Sequence, residues 1–126
     1  MHRSKLTAIL IDCDQETAET GVNFWSQALG MEAKRSNNPD SPYTSLSGGG
    51  VGLDMMVQRV DAPSRFHLDL ETDNLEAEVK RLEKLGATRV EQVEQWWIMR
   101  APTGHLFCVV PTKPESLGDD ANSWED

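Results

Sequence analysis

The chain has 126 residues, of which 38% are hydrophobic and 26% are charged, and its formal net charge is −9. A chain of this length and composition can fold as one domain that needs neither a disulfide nor a structural metal to hold it together. The negative charge argues against binding to nucleic acid or to an anionic membrane, because phosphate groups would be repelled.

The two cysteines and the N-terminal residues bear on the cellular compartment. Cys13 and Cys108 do not have the spacing of a metal-binding or redox pair, and each lies in an apolar run, so we expect two reduced and buried thiols. No segment approaches the ~20 apolar residues of a membrane span, and the first residues lack the pattern of a signal peptide. We therefore expect a cytoplasmic protein.

The first half of the chain predicts one helix and four strands. A short β-rich run opens it, and Ala18, Val22, Trp25 and Leu29 then recur at helical spacing. The predicted elements are a strand at 6–11, a helix capped by Asp14 and ended by Gly30, and strands at 31–35, 43–46 and 51–58. The turn at 48–50 has three glycines, but it lacks the Lys-Ser/Thr and the helix start of a phosphate-binding loop.

The second half repeats this order of elements. Phe66, Leu68 and Leu70 alternate with polar residues, so the strand they form has an apolar face that we expect to pack on the helices. The other predicted elements are a helix capped by Asp73 or Asn74 with Leu75, Val79 and Leu82 on its apolar side, a stop at Gly86, and strands at 88–93, 96–100 and 106–110.

The sequence therefore predicts a β-α-β-β-β unit that occurs twice. We expect a single domain over residues 1–111, in which the first module covers about 5–60 and the second about 64–111. An acidic, polar tail follows at 112–126, and we expect it to be poorly ordered unless Trp124 docks on the domain.

Several short motifs within this doubled unit resemble one protein family. They are Phe24-Trp25 followed by Leu29-Gly30-Met31 in the first module, and Phe66-His67-Leu68-Asp69-Leu70, Leu85-Gly86-Ala87 and the run from Arg100 to Val110 in the second. Together they resemble the vicinal oxygen chelate superfamily, which is the glyoxalase, bleomycin-resistance and dioxygenase group, and within it the small glyoxalase-like domain branch. The resemblance implies an α+β fold in which two βαβββ modules form a curled mixed sheet. That sheet makes a cup with the ligand inside and the helices outside, and homodimers are common in the family.

The resemblance also implies where a metal would be held. Metal-using relatives place one ligand, usually His or Glu, on the first and last strands of each module. The matching positions here are Thr7 (or Ala8, if the register differs by one), Gln58, His67 and Cys108. Only His67 keeps a usual ligand, so we expect no metal cofactor. A divalent metal held by His67, Gln58 and Cys108 is the alternative. The competing interpretation makes His67 a pocket residue that hydrogen-bonds Asp69 or water.

Further residues are candidates for lining the ligand cup. Asp54, Met56 and Gln58 share one face of their strand, and a buried Asp54 near His67 would form an acid–base pair, whereas an exposed Asp54 would not. Trp96 and Trp97 face opposite ways, so one of them can offer a flat surface to a ring-bearing ligand. Cys108 has no adjacent basic residue, which favours an inert, buried thiol over a nucleophile.

These observations leave three hypotheses for function. The first is a glyoxalase-like protein that binds an organic, possibly aromatic ligand without a metal, using His67, Gln58, Asp54, Met56, Trp96, Trp97 and Cys108. The second is a metal-dependent lyase, isomerase or dioxygenase, so the sequence does not decide whether the protein is an enzyme; the missing carboxylates argue against true glyoxalase I activity. The third is a structural role with a closed cup. We expect a small-molecule ligand and a homodimer as partners, and neither nucleic acid nor membrane.

Overall fold

The computed structural model describes residues 1–48 and 53–126. Within these residues the chain forms two α-helices and nine β-strands, together with a short 3-10 turn at Pro114–Ser116. The elements are β1 (His2–Asp14), α1 (Ala18–Leu29), β2 (Met31–Arg35), β3 (Tyr43–Gly48), β4 (Asp54–Val60), β5 (Arg65–Thr72), α2 (Leu75–Lys84), β6 (Thr88–Val93), β7 (Trp96–Arg100), β8 (Leu106–Pro111) and β9 (Asn122–Trp124). The α+β class is confirmed. Neither described helix is long and apolar enough to cross a membrane.

The chain divides into two compact units, and each is described here by itself. The first unit is Ala8–His67, and the second unit is Met1–Thr7 together with Leu68–Asp126. In the first unit the strand order is β2-β3-β4-β1, with β1 and β4 parallel and the other neighbours antiparallel. Helix α1 covers one face of this sheet. Their shared core consists of Ile11, Cys13, Val22, Met31, Leu46 and Val57.

The second unit repeats this arrangement with other residues. Its strand order is β5-β8-β7-β6, with β5 and β8 parallel and the remaining pairs antiparallel. Its core consists of Val79, Leu82, Ala87, Met99 and Val109. Asn74 begins α2, because its side chain accepts a hydrogen bond from the Ala77 amide at 3.1 Å.

The doubled β-α-β-β-β order is therefore confirmed, and β2, β6 and β7 have the predicted bounds. The prediction for β1 was too short, since the strand runs from His2 to Asp14. Asp14 does not cap α1: its carboxylate accepts hydrogen bonds from the amide and hydroxyl of Thr17 in the preceding turn, at 2.9 and 2.8 Å. Of the predicted strand at 51–58, residues 51–52 lie outside the described residues, as do Gly49 and Gly50 of the glycine turn.

The apolar face predicted for β5 does not pack on the helices along its whole length. Leu68 is 43% exposed, so the prediction was wrong for it. Phe66 is 61% exposed, but its ring still contacts that of Trp25 on α1, with 5.9 Å between the centroids. Only Leu70 packs against the core beneath α2. The alternation of apolar and polar residues in β5 was predicted correctly, but it does not show which of the apolar residues a helix buries.

The C-terminal segment is held in the second unit. Strand β9 pairs antiparallel with the start of β1, where Trp124 lies opposite His2. The Trp124 indole donates a hydrogen bond to the Ser4 hydroxyl at 2.9 Å, and the guanidinium of Arg81 lies 3.9 Å from the centre of its ring. Leu117 is fully buried. Trp124 thus meets the condition under which we expected the tail to be ordered.

A buried polar cluster lies beside this tail. His2 is 2% exposed and hydrogen-bonds Glu78 at 2.8 Å and also Asp126. Burial lowers the pKa of His2, but the hydrogen bonds with Glu78 and Asp126 outweigh burial and leave the pKa raised. Burial likewise acts to raise the pKa of Glu78, and its hydrogen bonds with Arg81 and His2 lower it overall.

Candidate functional site

The sheet of the first unit has two chemically different faces. Ile11, Cys13 and Val57 face α1 and belong to the apolar core. Strand alternation therefore places Ala8, Leu10 and Asp12 of β1, and Asp54, Met56 and Gln58 of β4, on the face opposite α1. The two sets are in register, with Ala8 beside Asp54, Leu10 beside Met56 and Asp12 beside Gln58.

A buried carboxylate and an imidazole meet in this unit. The Asp12 side chain is 1% exposed, and its Oδ2 lies 2.7 Å from Nδ1 of His67, whose own side chain is 9% exposed. An ionised carboxylate can only accept hydrogen bonds, so Nδ1 of His67 carries the proton that it donates to Asp12. In the neutral ring the basic lone pair is then on Nε2. Asp12 thereby fixes both the tautomer and the orientation of the imidazole.

Asp12 also contacts Arg65, which lies two residues before His67 on β5. The Arg65 Nε is 3.3 Å from Asp12 Oδ2, and the Arg65 side chain is 44% exposed. A half-exposed pair at this distance adds little stability, but it puts a positive charge at the edge of the site. The second carboxylate oxygen, Asp12 Oδ1, is buried and has no hydrogen-bond partner among the described residues. A buried acceptor of this kind is costly unless something donates to it.

The sequence left two alternatives for Asp54, a buried acid–base partner of His67 or an exposed residue at the start of its strand. Asp54 shares a face with Gln58, and it is exposed and is the first residue of β4, so the second alternative is the one observed. The carboxylate that contacts His67 is Asp12, which was missed because the strand was read as ending at Ile11. A single carboxylate flanked by Ile11 and Cys13 in an apolar run was the available signal.

The face of the sheet that carries Asp12 also carries Ala8, Met56 and Gln58. Ala8, rather than Thr7, lies on the face of Asp12, and it is buried. Gln58 is half-buried and its amide donates a hydrogen bond of 3.4 Å to the Tyr43 hydroxyl. Met56 is half-buried between Leu10 and Ser45. These residues combine an amide, a thioether and a phenol around the buried Asp12.

The remaining predicted ligand residues lie in the second unit. Trp97 packs against the core beneath α2, with the Arg89 guanidinium 5.1 Å from its ring, whereas Trp96 lies on the opposite face and is half-buried. Cys108 is half-buried, so the expectation of two fully buried thiols was wrong for it. Cys108 lies on β8 next to Val109, and it is Val109 that belongs to the core of the second unit. Cys13 is buried, and burial raises the pKa of its thiol.

Comparison with known proteins identifies the family. Residues 8–110 match the model of the glyoxalase-like domain. The chain belongs to the glyoxalase-like domain family. It is thus a member of the vicinal oxygen chelate superfamily, as the sequence motifs indicated. No curated protein matches the chain by sequence.

Solved structures share the fold at low sequence identity. A hypothetical protein from Bacillus halodurans C-125 has a TM-score of 0.63 at 11% identity, covering 98% of this chain and 99% of that one. Methylmalonyl-CoA epimerase from Mycobacterium tuberculosis has a TM-score of 0.56 at 14% identity, covering 88% and 89%. A Mn(II)-bound glyoxalase from Novosphingobium aromaticivorans has a TM-score of 0.60 at 14% identity, covering all of this chain and 43% of that one. At these identities the likeness shows the fold alone.

Proposed function

We propose that this glyoxalase-like protein binds a small organic ligand on the face opposite α1, next to Asp12, Gln58 and His67, and does so without a metal. The observation that carries the proposal is the buried Asp12, which orients His67 at 2.7 Å and keeps its Oδ1 without a donor among the described residues. A folded core normally satisfies a buried carboxylate oxygen. A ligand that donates a hydrogen bond would remove this cost when it binds.

The side chains around Asp12 define the chemistry of the ligand. Asp12 Oδ1 requires an O–H or N–H donor, and the Gln58 amide and the Tyr43 hydroxyl offer further hydrogen bonds. Leu10 and Met56 supply adjacent apolar surface. We therefore propose a hydroxylated or amino-substituted organic molecule with an apolar body, for which an aromatic ring is well suited.

The donor set supports the metal-free form of the proposal. At the positions that correspond to the family's ligands, this chain has Ala8, Gln58, His67 and Cys108. Hard ions such as Mn²⁺ prefer carboxylate oxygens, and an amide is a poor substitute. Zinc is the exception, because it binds the imidazole and thiolate groups that His67 and Cys108 can offer.

The test is calorimetric titration with catechol and with 1,2-dimethoxybenzene, which has the same ring and no hydroxyl donors. The proposal expects saturable binding of catechol, at least about tenfold weaker binding of the dimethoxy compound, and loss of catechol binding in Asp12→Leu. Asp54→Asn, on the same face but exposed, is the matched control and should bind as the wild type does. Equal binding of the two compounds, or unchanged binding in Asp12→Leu, would refute the proposed role of Asp12.

A metal-dependent lyase, isomerase or dioxygenase is the second candidate. Two observations favour it. The first is that metal-bound histidines usually donate a hydrogen bond from their other ring nitrogen to a carboxylate, as His67 donates to Asp12. The second is that Asp69 lies opposite Cys108 in the β5–β8 ladder. A bound zinc would polarise a substrate oxygen. About one zinc per chain, absent from His67→Ala, would establish this candidate in place of the metal-free one.

We also propose that the protein is cytoplasmic and forms a homodimer, as the resemblance implies. Light scattering on a size-exclusion column tests the second point directly. A mass near twice the 14.1 kDa of the chain supports the dimer, and the mass of one chain at all concentrations contradicts it.

A further inference from the structure

A groove lies beside α1 in the first unit, and it reaches Asp12 of the site described above. It has a volume of about 360 Å³ and is formed by α1, the end of β1 and the start of β5. Its walls include Phe24, Trp25 and Phe66, and its polar lining includes Asp12, Thr20 and Arg65. This volume is within the range of small-molecule sites.

The walls of the groove include three aromatic rings, of which Trp25 contacts the other two. The rings of Phe24 and Trp25 meet edge to face at 5.1 Å between centroids, and those of Trp25 and Phe66 do so at 5.9 Å. Phe24 is nevertheless 58% exposed and Phe66 is 61% exposed. Two large rings exposed beside a third form an apolar surface that a flat ring can cover favourably.

A cationic group lies at the same groove. Arg65 lines it and is 44% exposed, and among the described residues its hydrogen bonding is confined to Nε, which contacts Asp12 at 3.3 Å. A guanidinium binds a carboxylate with two parallel hydrogen bonds, which neither an alcohol nor an ether can match. The groove thus combines an aromatic surface with a site for an anionic substituent.

We propose that this groove binds a planar aromatic carboxylate, with the ring between Phe24 and Phe66 and the carboxylate on Arg65. The groove shares Asp12 and Arg65 with the site described above, but the aromatic surface of Phe24, Trp25 and Phe66 belongs to the groove alone, so this proposal does not depend on the proposed function. The chain's own negative charge discourages anions in general, so the aromatic contacts and Arg65 must act together to give affinity.

The probe is 2-naphthoate, followed by the indole N–H signals of the four tryptophans in ¹⁵N-labelled protein. A Trp25→Phe variant assigns the Trp25 signal. We expect a saturable shift of that signal, about fivefold weaker binding in Phe66→Ala, and about tenfold weaker binding in Arg65→Gln and for neutral 2-naphthalenemethanol. Because Phe66 is 61% exposed and the contact of the half-exposed Arg65 with Asp12 adds little stability, both variants should keep an unfolding transition close to that of the wild type.

The matched control is Leu85→Ala, which removes a side chain that is 66% exposed in the second unit. It should bind 2-naphthoate as the wild type does. Absence of a saturable Trp25 shift, or equal affinity in Phe66→Ala, would overturn the proposal of an aromatic site. Equal affinity for the neutral alcohol would overturn its anionic part. Catechol binding that fails while 2-naphthoate binding persists would refute the proposed function and leave this inference standing.

Discussion

Replacing Asp12 with asparagine keeps the size of the side chain and removes the charge that holds His67. The 2.7 Å contact to His67 is a hydrogen bond to a charged group, which contributes about 1.5–3 kcal/mol. The contact to the half-exposed Arg65 contributes about 0–1 kcal/mol. An asparagine oxygen can still accept weakly from His67, and an uncharged amide costs less to bury. We therefore expect the free energy of unfolding to fall by about 1–3 kcal/mol.

Two measurements check this prediction. Urea unfolding followed by circular dichroism gives the loss of stability, with Asp54→Asn as an exposed control that should stay within about 0.5 kcal/mol of the wild type. The ¹⁵N signals of the His67 ring give the tautomer: protonation at Nδ1 should dominate in the wild type and lose its dominance in Asp12→Asn. If Asp12→Asn unfolds like the control and leaves the tautomer unchanged, the proposed orienting role of Asp12 is wrong.

Three further changes test other parts of the structure. Gly21→Ala should destabilise the protein by about 1–3 kcal/mol, although Ala favours helices, because the new Cβ would lie 2.6 Å from Cys13 Sγ; urea unfolding measures this. Asn74→Ala should cost about 1 kcal/mol by removing the cap of α2, measured in the same way. The raised pKa of His2 means that its protonated form stabilises the fold below its ordinary pKa of 6.5 and that this stability is lost as the pH rises through the folded pKa. The urea midpoint should thus fall as the pH rises above 6.5, and by less in His2→Gln.

Each of these predictions has its own control. In a Cys13→Ala background, which removes the sulfur, Gly21→Ala should cost much less stability than it does in the wild type, and an equal cost would mean that the sulfur contact is not the cause. Asn74→Asp keeps a capping oxygen and should retain stability close to the wild type. A pH dependence that is identical in His2→Gln would assign the effect to other groups.

At low pH, the lowered pKa of Glu78 means that stability is lost as the pH falls below 4.5 and Glu78 becomes protonated.

The sequence was sufficient for features that depend on neighbouring residues. Alternation, helical spacing and capping chemistry predicted the bounds of β6 and β7, a helix cap at Asp73 or Asn74, and the apolar side of α2 with Val79 and Leu82. Each of these signals involves residues a few positions apart. The doubled order of elements then followed from the repeat itself.

The contact between Asp12 and His67 in the candidate site was not predictable in this way. Asp12 and His67 are 55 positions apart, and their contact depends on how the strands are paired. A one-residue uncertainty in the register of β1 left open whether Thr7 or Ala8 lies on the site's face. The exposed fraction of Phe66 depends on how far α1 extends over the sheet, and no local pattern of residues predicts that.

The central claim is that Asp12 and His67 bind an organic ligand without a metal. The most direct test is calorimetric titration with catechol in the presence of excess EDTA, using wild-type protein and His67→Ala. The account predicts saturable binding that EDTA leaves unchanged and that His67→Ala weakens by at least about tenfold. Binding that disappears with EDTA and returns when zinc or manganese is added would contradict it and establish a metal site instead.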